Sequence, residues 1–343
     1  MNKNVILVFL SALLCFFISS CKKDQLLLPS RSQVELVPDV TIEDGYLKFK
    51  NDRVFDSLST LLMKRPGSEI TDFVDGVEEF KSYGAVFLNL DREYESVNSD
   101  KSFAEFQNKY KNLVNISGDS SLTYRFGTPL SSKFINLRGE VRVGEYMIVY
   151  TKDNRIISYK GVRKTEEELL KIQKSDSLSN VYVQRISNKS QAKNISMASG
   201  DEIITSLIKS ELYYNGDKKR RLFVECWVED YRVGGFNTST KIYITSKQEL
   251  KKTFGGWRTN ETNYSFRDVN FNLGIFRIPE ERPKSFKYTL ANYSVNNVYG
   301  PILIDMGTYL GSGVGVQGFG NFTSGGVPNT PRFEVNWSTW SPG

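Results

Sequence analysis

The sequence contains no histidine and three cysteines, and these two shortages exclude several classes of function. Without imidazole, the chain lacks the usual general base near neutral pH, the most common zinc ligand and every catalytic triad built on histidine. The cysteines, Cys15, Cys21 and Cys226, do not have the close spacing of a metal site. We therefore predict no metal, no cofactor and no catalytic residue, and a protein that is not an enzyme.

Composition and charge favour a folded body without nucleic-acid partners. Hydrophobic residues make up 39% of the 343 residues and charged residues 24%, which is typical of globular proteins. The length is sufficient for two ordinary domains. The net charge of +6 is small for this length and is not concentrated in one segment, so it does not indicate nucleic-acid binding.

The N-terminus has the pattern of an export signal. Lys3 precedes an apolar run of fourteen residues, 5–18, which is shorter than the roughly 20 residues that span a membrane. We therefore predict that residues 1–20 are a signal peptide. The sequence Ile18-Ser19-Ser20-Cys21 resembles the lipobox of bacterial lipoproteins. This resemblance implies that Cys21 becomes the first residue after cleavage and carries the lipid, including palmitate, that anchors the protein in the outer membrane.

Residues 21–38 predict a flexible tether, because charges, serine and two prolines occur there without a sustained helical or alternating pattern. Lys22-Lys23-Asp24 contains one acid, whereas surface-exported lipoproteins of the Bacteroidota tend to carry an acidic cluster at this place. The side of the outer membrane that the body faces therefore stays open. With Cys21 lipidated, Cys226 has no intrachain disulfide partner, and we expect it to be buried.

Residues 39–163 predict an α+β domain. Alternation around Asp44-Gly45 indicates a short hairpin, and apolar residues at helical spacing indicate helices over 54–63 and 102–114. From 134 to 161 the period changes to two, which predicts an antiparallel meander.

Three segments of the body resemble sequence blocks of Bacteroidota lipoproteins of unknown function. They are residues 37–51 with Phe55, residues 137–146, and Lys251-Lys252-Thr253-Phe254-Gly255-Gly256-Trp257. The resemblance implies a Gram-negative cell envelope, and it brings no catalytic residues with it.

Residues 164–200 predict a charged helix and a polar linker, and residues 201–343 predict a mainly β domain, sandwich-like or barrel-like. Strands at 206–214 and 221–233 flank an Asn-Gly turn, which is a strong hairpin signal. The glycine-rich residues 307–326 predict a loop-rich closing segment rather than more of the core.

The second strand of this hairpin carries the candidate ligand site. Strand alternation places five residues on one face, and these are Phe223, Glu225, Trp227, Glu229 and Tyr231. Aromatic rings and acids on one exposed face would form a platform for sugars. The alternative is that this face packs beneath another layer. Four residues of strand separate the two acids by about 13 Å, which exceeds the roughly 5 to 9.5 Å of glycosidase carboxyl pairs.

Two short motifs do not support an activity. Residues 313–318 match G-x-G-x-x-G, but the glycine-rich sequence that follows does not favour the helix that dinucleotide binding needs. Residues 206–209 match S-x-x-K without the companion motifs of serine acyl-transfer enzymes.

The sequence thus predicts an envelope lipoprotein with a binding or organising role. One alternative is a glycan-binding accessory protein of a polysaccharide uptake system, and a second is a carboxylate-dependent glycoside hydrolase. The expected partners are the membrane, through the lipid on Cys21, and a glycan or an envelope protein.

Overall fold

The fold is taken from a computed structural model that describes residues 39–65, 67–187, 203–254, 256–276, 284–310 and 313–338. The predicted signal peptide, the tether and Cys21 lie outside the described residues, so their assignments stay predictions. Among the described residues, no helix is long and apolar enough to cross a membrane.

Strands make up half of the described chain, and eleven of them form one large sheet. In chain order, these are β1 (Val40–Glu43), β2 (Tyr46–Phe49), β5 (Glu140–Val143), β6 (Tyr146–Tyr150), β7 (Arg155–Lys160), β8 (Val181–Ser187), β9 (Ile203–Tyr214), β10 (Arg220–Val233), β11 (Phe236–Lys251), β12 (Trp257–Thr259) and β15 (Ile302–Tyr309). Neighbouring strands are antiparallel except β2 with β5 and β8 with β9.

A second, small sheet packs against the long strands of the first. It has the order β14 (Lys284–Val298), β13 (Thr262–Phe276), β16 (Gly313–Ser324) and β17 (Phe333–Ser338). A shared core of buried residues from β9, β10, β11 and β15 and from the small sheet fills the space between the two layers. The later half of the chain is therefore a sandwich of two sheets, as the sequence predicts.

Four helices lie in the first half of the described chain. They are α1 (Asp52–Lys64), α2 (Tyr83–Glu95), α3 (Asp100–Tyr110) and α4 (Glu166–Lys171). The Asn51 side chain caps α1 by accepting a hydrogen bond from the Val54 amide at 3.1 Å, and Ser82 caps α2 in the same way. Helix α1 confirms the first predicted helix, α3 is shorter than the predicted 102–114, and α2 was not predicted.

A short hairpin beside α2 and α3 completes the fold. Its strands are β3 (Val114–Ile116) and β4 (Leu122–Tyr124), and they pair only with each other among the described strands. Buried residues of α2, α3 and this hairpin form one cluster, which includes Phe87, Tyr94 and Leu122.

Helix α1 is fixed on the large sheet by its apolar face and by one buried lysine. Phe55, Leu58 and Leu62 are buried against the sheet. The Lys241 side chain on β11 is fully buried, and its Nζ donates to Asp56 Oδ1 at 2.7 Å and to Thr60 Oγ1 at 2.8 Å. A buried ammonium group needs such partners because desolvation of an unpaired charge is costly.

Three details differ from the predictions. Residues 134–137 do not form a strand, because a turn of 3₁₀ helix at Ser131–Lys133 precedes them and buries Phe134. The glycine-rich segment contains strand β16 and not only a loop. Strand β8 lies within the predicted helix and linker at 164–200, and it pairs with β9 in the large sheet.

Candidate functional site

Strand β10 has the two faces that alternation predicts. The first face points into the sandwich core and carries Leu222, Val224, Cys226 and Val228, each at most 1% exposed. Burial raises the pKa of the Cys226 thiol far above its usual value, so the thiol stays protonated and unreactive. The expectation of a buried Cys226 is confirmed.

The opposite face is closed at its Tyr231 end. Glu229 is 1% exposed and accepts hydrogen bonds from the hydroxyls of Tyr231, at 2.6 Å, and Tyr243. The rings of Phe55 and Phe134 pack on Tyr231, with centroids 5.4 and 5.9 Å away. Glu229 and Tyr231 are therefore not part of an exposed platform. For these two residues the alternative of a packed face applies, because α1 and the segment after the 3₁₀ turn cover them.

The same face is open to a cavity at its Phe223 end. This cavity, of about 320 Å³, lies between the large sheet and the β3–β4 hairpin. Strand β10 contributes Phe223, Glu225 and Trp227 to its wall, so three of the five predicted site residues meet there. The wall also includes Phe87, Asn115, Tyr124, Thr245 and Lys247.

Glu225 is the acidic group of the cavity. It is half-buried, and its Oε2 accepts a hydrogen bond from Trp227 Nε1 at 3.1 Å. Burial raises the pKa of Glu225, and the Trp227 hydrogen bond and the charge of Lys247 oppose this shift without cancelling it. Its second oxygen, Oε1, has no hydrogen-bond partner among the described residues and can accept from a ligand.

Thr245 lies directly opposite Glu225 in the β10–β11 register. The side chain is 4% exposed, and its Oγ1 has no hydrogen-bond partner among the described residues. A buried hydroxyl without a partner costs about 1–3 kcal/mol, so it is rare in native proteins unless a water or a ligand supplies the missing bond. Its position on the cavity wall makes it the second polar contact point.

Lys247 is the basic group of the cavity and is held in place by Glu249. Its Nζ lies 2.8 Å from Glu249 Oε1. Burial alone would lower the pKa of Lys247, but the charges of Glu249 and Asp91 outweigh burial and raise the pKa. The ammonium group therefore keeps its charge. It donates to Glu249 and, at 3.5 Å, to the Leu122 carbonyl oxygen, so one of its three N–H groups is left for a ligand.

Behind Lys247, an ion network ties the hairpin to the sheet. We use this name for Arg221, Glu249, Lys247 and Asp119. The Arg221 Nε donates to Glu249 Oε2 at 2.8 Å and its Nη1 donates to Asp119 Oδ2 at 2.6 Å. Arg221 and Glu249 are 2% and 1% exposed, and the Arg221 guanidinium stacks over Trp257 at 4.1 Å from the ring centroid.

The pKa values of the network acids show that both are charged at neutral pH. Burial would raise the pKa of Asp119, but the hydrogen bond and charge of Arg221 outweigh burial and lower the pKa to about 2. The charges of Lys247 and Arg221 likewise outweigh burial at Glu249 and lower its pKa. Glu249 is thus a structural carboxylate and not a proton donor.

Aromatic rings line the remaining wall. Phe87 and Tyr124 lie with their centroids 4.2 Å apart, and Trp227 and Phe223 border Glu225 along β10. Among the described residues that line the cavity, Glu225 carries the one carboxyl group. The arrangement can stack a ring and hydrogen-bond polar groups, but it does not contain the two carboxyl groups that glycoside hydrolysis uses.

Sequence reasoning missed Thr245, Lys247, Phe87 and Tyr124. The first two had a usable signal, because Gly234-Gly235 forms the turn between β10 and β11 and sets which residues face each other. The last two belong to α2 and the β3–β4 hairpin, which lie about one hundred residues earlier in the chain. Periodicity along one strand carries no information on such a contact.

Comparisons with known proteins provide no functional assignment. No model of a known protein family and no curated protein matches the sequence. Among solved structures, the chain is similar to the crystal structure of a DUF4848 family protein from Bacteroides thetaiotaomicron. The match has 15% identity and a TM-score of 0.28, and it covers 86% of this chain and 98% of that one.

Proposed function

We propose that this protein is a lipid-anchored envelope protein that binds a small ligand without converting it. The cavity beside Glu225 carries this proposal, because it joins aromatic walls to the Glu225 carboxyl group and to the buried Thr245 Oγ1, which has no partner among the described residues. Ligand sites are typically concave and apolar with a few polar groups that converge on the ligand, and they measure about 300–1,000 Å³. The cavity fits this description.

A saccharide is the ligand class that the walls favour. Sugar rings present an apolar face that packs on aromatic rings and a rim of hydroxyls that bond to carboxylates, ammonium groups and hydroxyls. Both kinds of group meet in the cavity through Phe223, Trp227, Glu225 and Lys247. A glycan-binding accessory protein of a polysaccharide uptake system is therefore the form of the proposal that we favour.

Binding is favoured over hydrolysis by the state of the acids. A glycoside hydrolase needs a second carboxyl group within about 5 to 9.5 Å that can act as nucleophile or base. Glu249, which follows Lys247 on β11, is already paired with Lys247 and Arg221. Glu225 therefore has no carboxyl partner for catalysis among the residues that line the cavity.

A panel of soluble oligosaccharides and polysaccharides tests this proposal. The full-length protein in detergent is titrated with each glycan, and every mixture is then analysed for shortened products. We expect saturable binding of at least one glycan with no product after prolonged incubation. Product formation would establish an enzyme, and absence of both binding and products would favour a structural or protein-partner role.

The anchor is tested separately by metabolic labelling with a fatty-acid probe. We expect label on the wild-type protein and on Cys226→Ser, and no label on Cys21→Ser. The Cys226→Ser variant is the matched control, because it removes a thiol that is fully buried. Label that persists on Cys21→Ser would contradict the anchor, and protease treatment of intact cells would show which side of the outer membrane the body faces.

A further inference from the structure

We infer that the cavity selects a neutral saccharide unit, which it recognises through adjacent hydroxyl groups, and discriminates against acidic sugars and amines. The inference rests on the proposed function, since it names the ligand class of the same site. It follows from the hydrogen-bonding capacity and the charges of three side chains on the cavity wall, Glu225, Thr245 and Lys247.

These three groups differ in what they can offer a ligand. In its carboxylate form the Glu225 side chain only accepts hydrogen bonds, Lys247 only donates them, and the Thr245 hydroxyl does both. Glu225 and Thr245 face each other across the β10–β11 ladder, and Lys247 is two residues further along β11 on the same face of the sheet. An acceptor, a donor and a hydroxyl thus lie side by side on one patch of the wall.

A pair of neighbouring hydroxyls matches this patch. One ligand hydroxyl can donate to Glu225 Oε1, and the next can accept from Lys247 Nζ. The Thr245 hydroxyl can donate to the first ligand hydroxyl and accept from the second, so this buried oxygen gains the partner that it lacks. Each of the two ligand hydroxyls then donates one hydrogen bond and accepts one, as it does in water.

The charges around the patch disfavour an acidic ligand. The ammonium group of Lys247 is already paired with the carboxylate of Glu249, at 2.8 Å from its Oε1. A sugar carboxylate would meet Glu225 directly and would find no cation in excess. The carboxylate of a uronic acid therefore loses its hydration without gaining a charge partner.

The same patch disfavours an amine. Aromatic walls and a carboxylate together are typical of cation sites, and on this ground alone an ammonium ligand would fit. Lys247, however, lies on the same wall, two residues from Thr245, and keeps its positive charge. A second ammonium group would be repelled by it, so a neutral hydroxylated ring is the class that meets no opposing charge.

Calorimetric titration of the full-length protein in detergent tests the inference. The probes are three matched hexose oligosaccharides in neutral, uronic acid and amino sugar form. We expect the neutral form to bind at least about tenfold more tightly than either charged form, which corresponds to about 1.4 kcal/mol. Equal or tighter binding of a charged form would overturn the inference while leaving saccharide binding intact.

Two variants separate recognition from folding. Thr245→Val removes the hydroxyl and keeps the branched shape, and we expect it to weaken binding of the neutral form about tenfold while the unfolding temperature stays equal or rises. Thr41→Val, on the exposed face of β1, is the matched control and should bind as the wild type does. Wild-type affinity in Thr245→Val would contradict the role of this hydroxyl. If none of the three sugars binds to any protein, the proposed function itself fails.

Discussion

Replacing Arg221 with methionine tests whether the ion network holds the β3–β4 hairpin against the sheet. Methionine keeps much of the side-chain volume and removes the guanidinium group. Glu249 would then stay buried at 1% exposure with Lys247 as its ionic partner, and Asp119 would lose the hydrogen bond of 2.6 Å that joins the hairpin to β10. The hairpin that Asp119 belongs to forms part of the cavity wall through its strands β3 and β4.

The size of the effect follows from the burial of the pair. Removing one partner of a buried ion pair costs about 3–5 kcal/mol, and the remaining Lys247 places the expected loss near 3 kcal/mol. For a body of roughly 300 residues, unfolding entropy converts this loss into a decrease of about 5 °C in Tm. The loss should depend little on salt, because buried pairs are screened weakly.

Calorimetric unfolding of the wild type, Arg221→Met and Arg53→Met checks this value. Arg53 is exposed on α1 and serves as the matched control, with an expected change in Tm within about 1 °C.

The pH dependence of stability provides a second test of the contact between Arg221 and Asp119. The folded-state pKa of Asp119 is about 2, below the usual 3.8, so its stabilising contribution is present above pH 3.8 and is lost as pH falls to about 2. Arg221→Met should show a smaller acid-induced loss, because the hydrogen bonds that the Ser117 hydroxyl and the Ser121 amide donate to Asp119 remain. A Tm equal to that of the wild type would refute the reasoning.

Three further predictions concern the body. Burial raises the pKa of Glu229 above its usual 4.5, so the wild type should lose stability as pH rises from 4.5 through the raised value. In thermal unfolding across pH, Glu229→Gln should lose less stability over this range, because Glu225 and Asp91, whose pKa values burial also raises, remain. In Gly318→Ala the new Cβ would lie 2.2 Å from the Asn270 carbonyl oxygen, which should cost about 1–3 kcal/mol in a denaturant titration, while Gly216→Ala, with no atom within 4 Å, should be neutral. Cys226 should resist alkylation in the native protein and react once denaturant unfolds it, and rapid native labelling would contradict its burial.

The sequence alone was sufficient to predict that one face of β10 lies in the core, but it did not predict what covers the opposite face. Alternation placed Val224 and Cys226 in the sandwich core because an apolar residue at every second position needs a layer to cover it. The same alternation cannot say what covers Glu225 or Glu229, since both are acids beside aromatic rings. The fold distinguishes them, because Phe55 of α1 packs at the Glu229 end and leaves the Glu225 end open.

The glycine-rich segment shows a second limit of local patterns. Glycine usually weakens a strand, so residues 307–326 predicted a loop. In β16, however, the missing side chain of Gly318 allows the backbone of β13 to approach, and the nearest atom to an added Cβ would be the Asn270 carbonyl oxygen. Glycine at this position permits a close strand contact, and only the neighbouring strand reveals it. Helix α2 was not predicted, although the sequence contains its signals. Ser82 is a capping residue, and the buried Phe87, Leu90 and Tyr94 follow helical spacing.

The central claim is that the cavity beside Glu225 is the ligand site, and a variant that blocks the cavity tests it most directly. Asn115 is exposed on β3 and lines the cavity, so Asn115→Trp should fill the opening without disturbing the core. Thr41→Trp adds the same ring to the exposed face of β1 and is the matched control. A glycan that binds the wild type in calorimetry should bind Thr41→Trp equally and lose its affinity for Asn115→Trp. Equal affinity for all three proteins would place the ligand elsewhere and contradict the account.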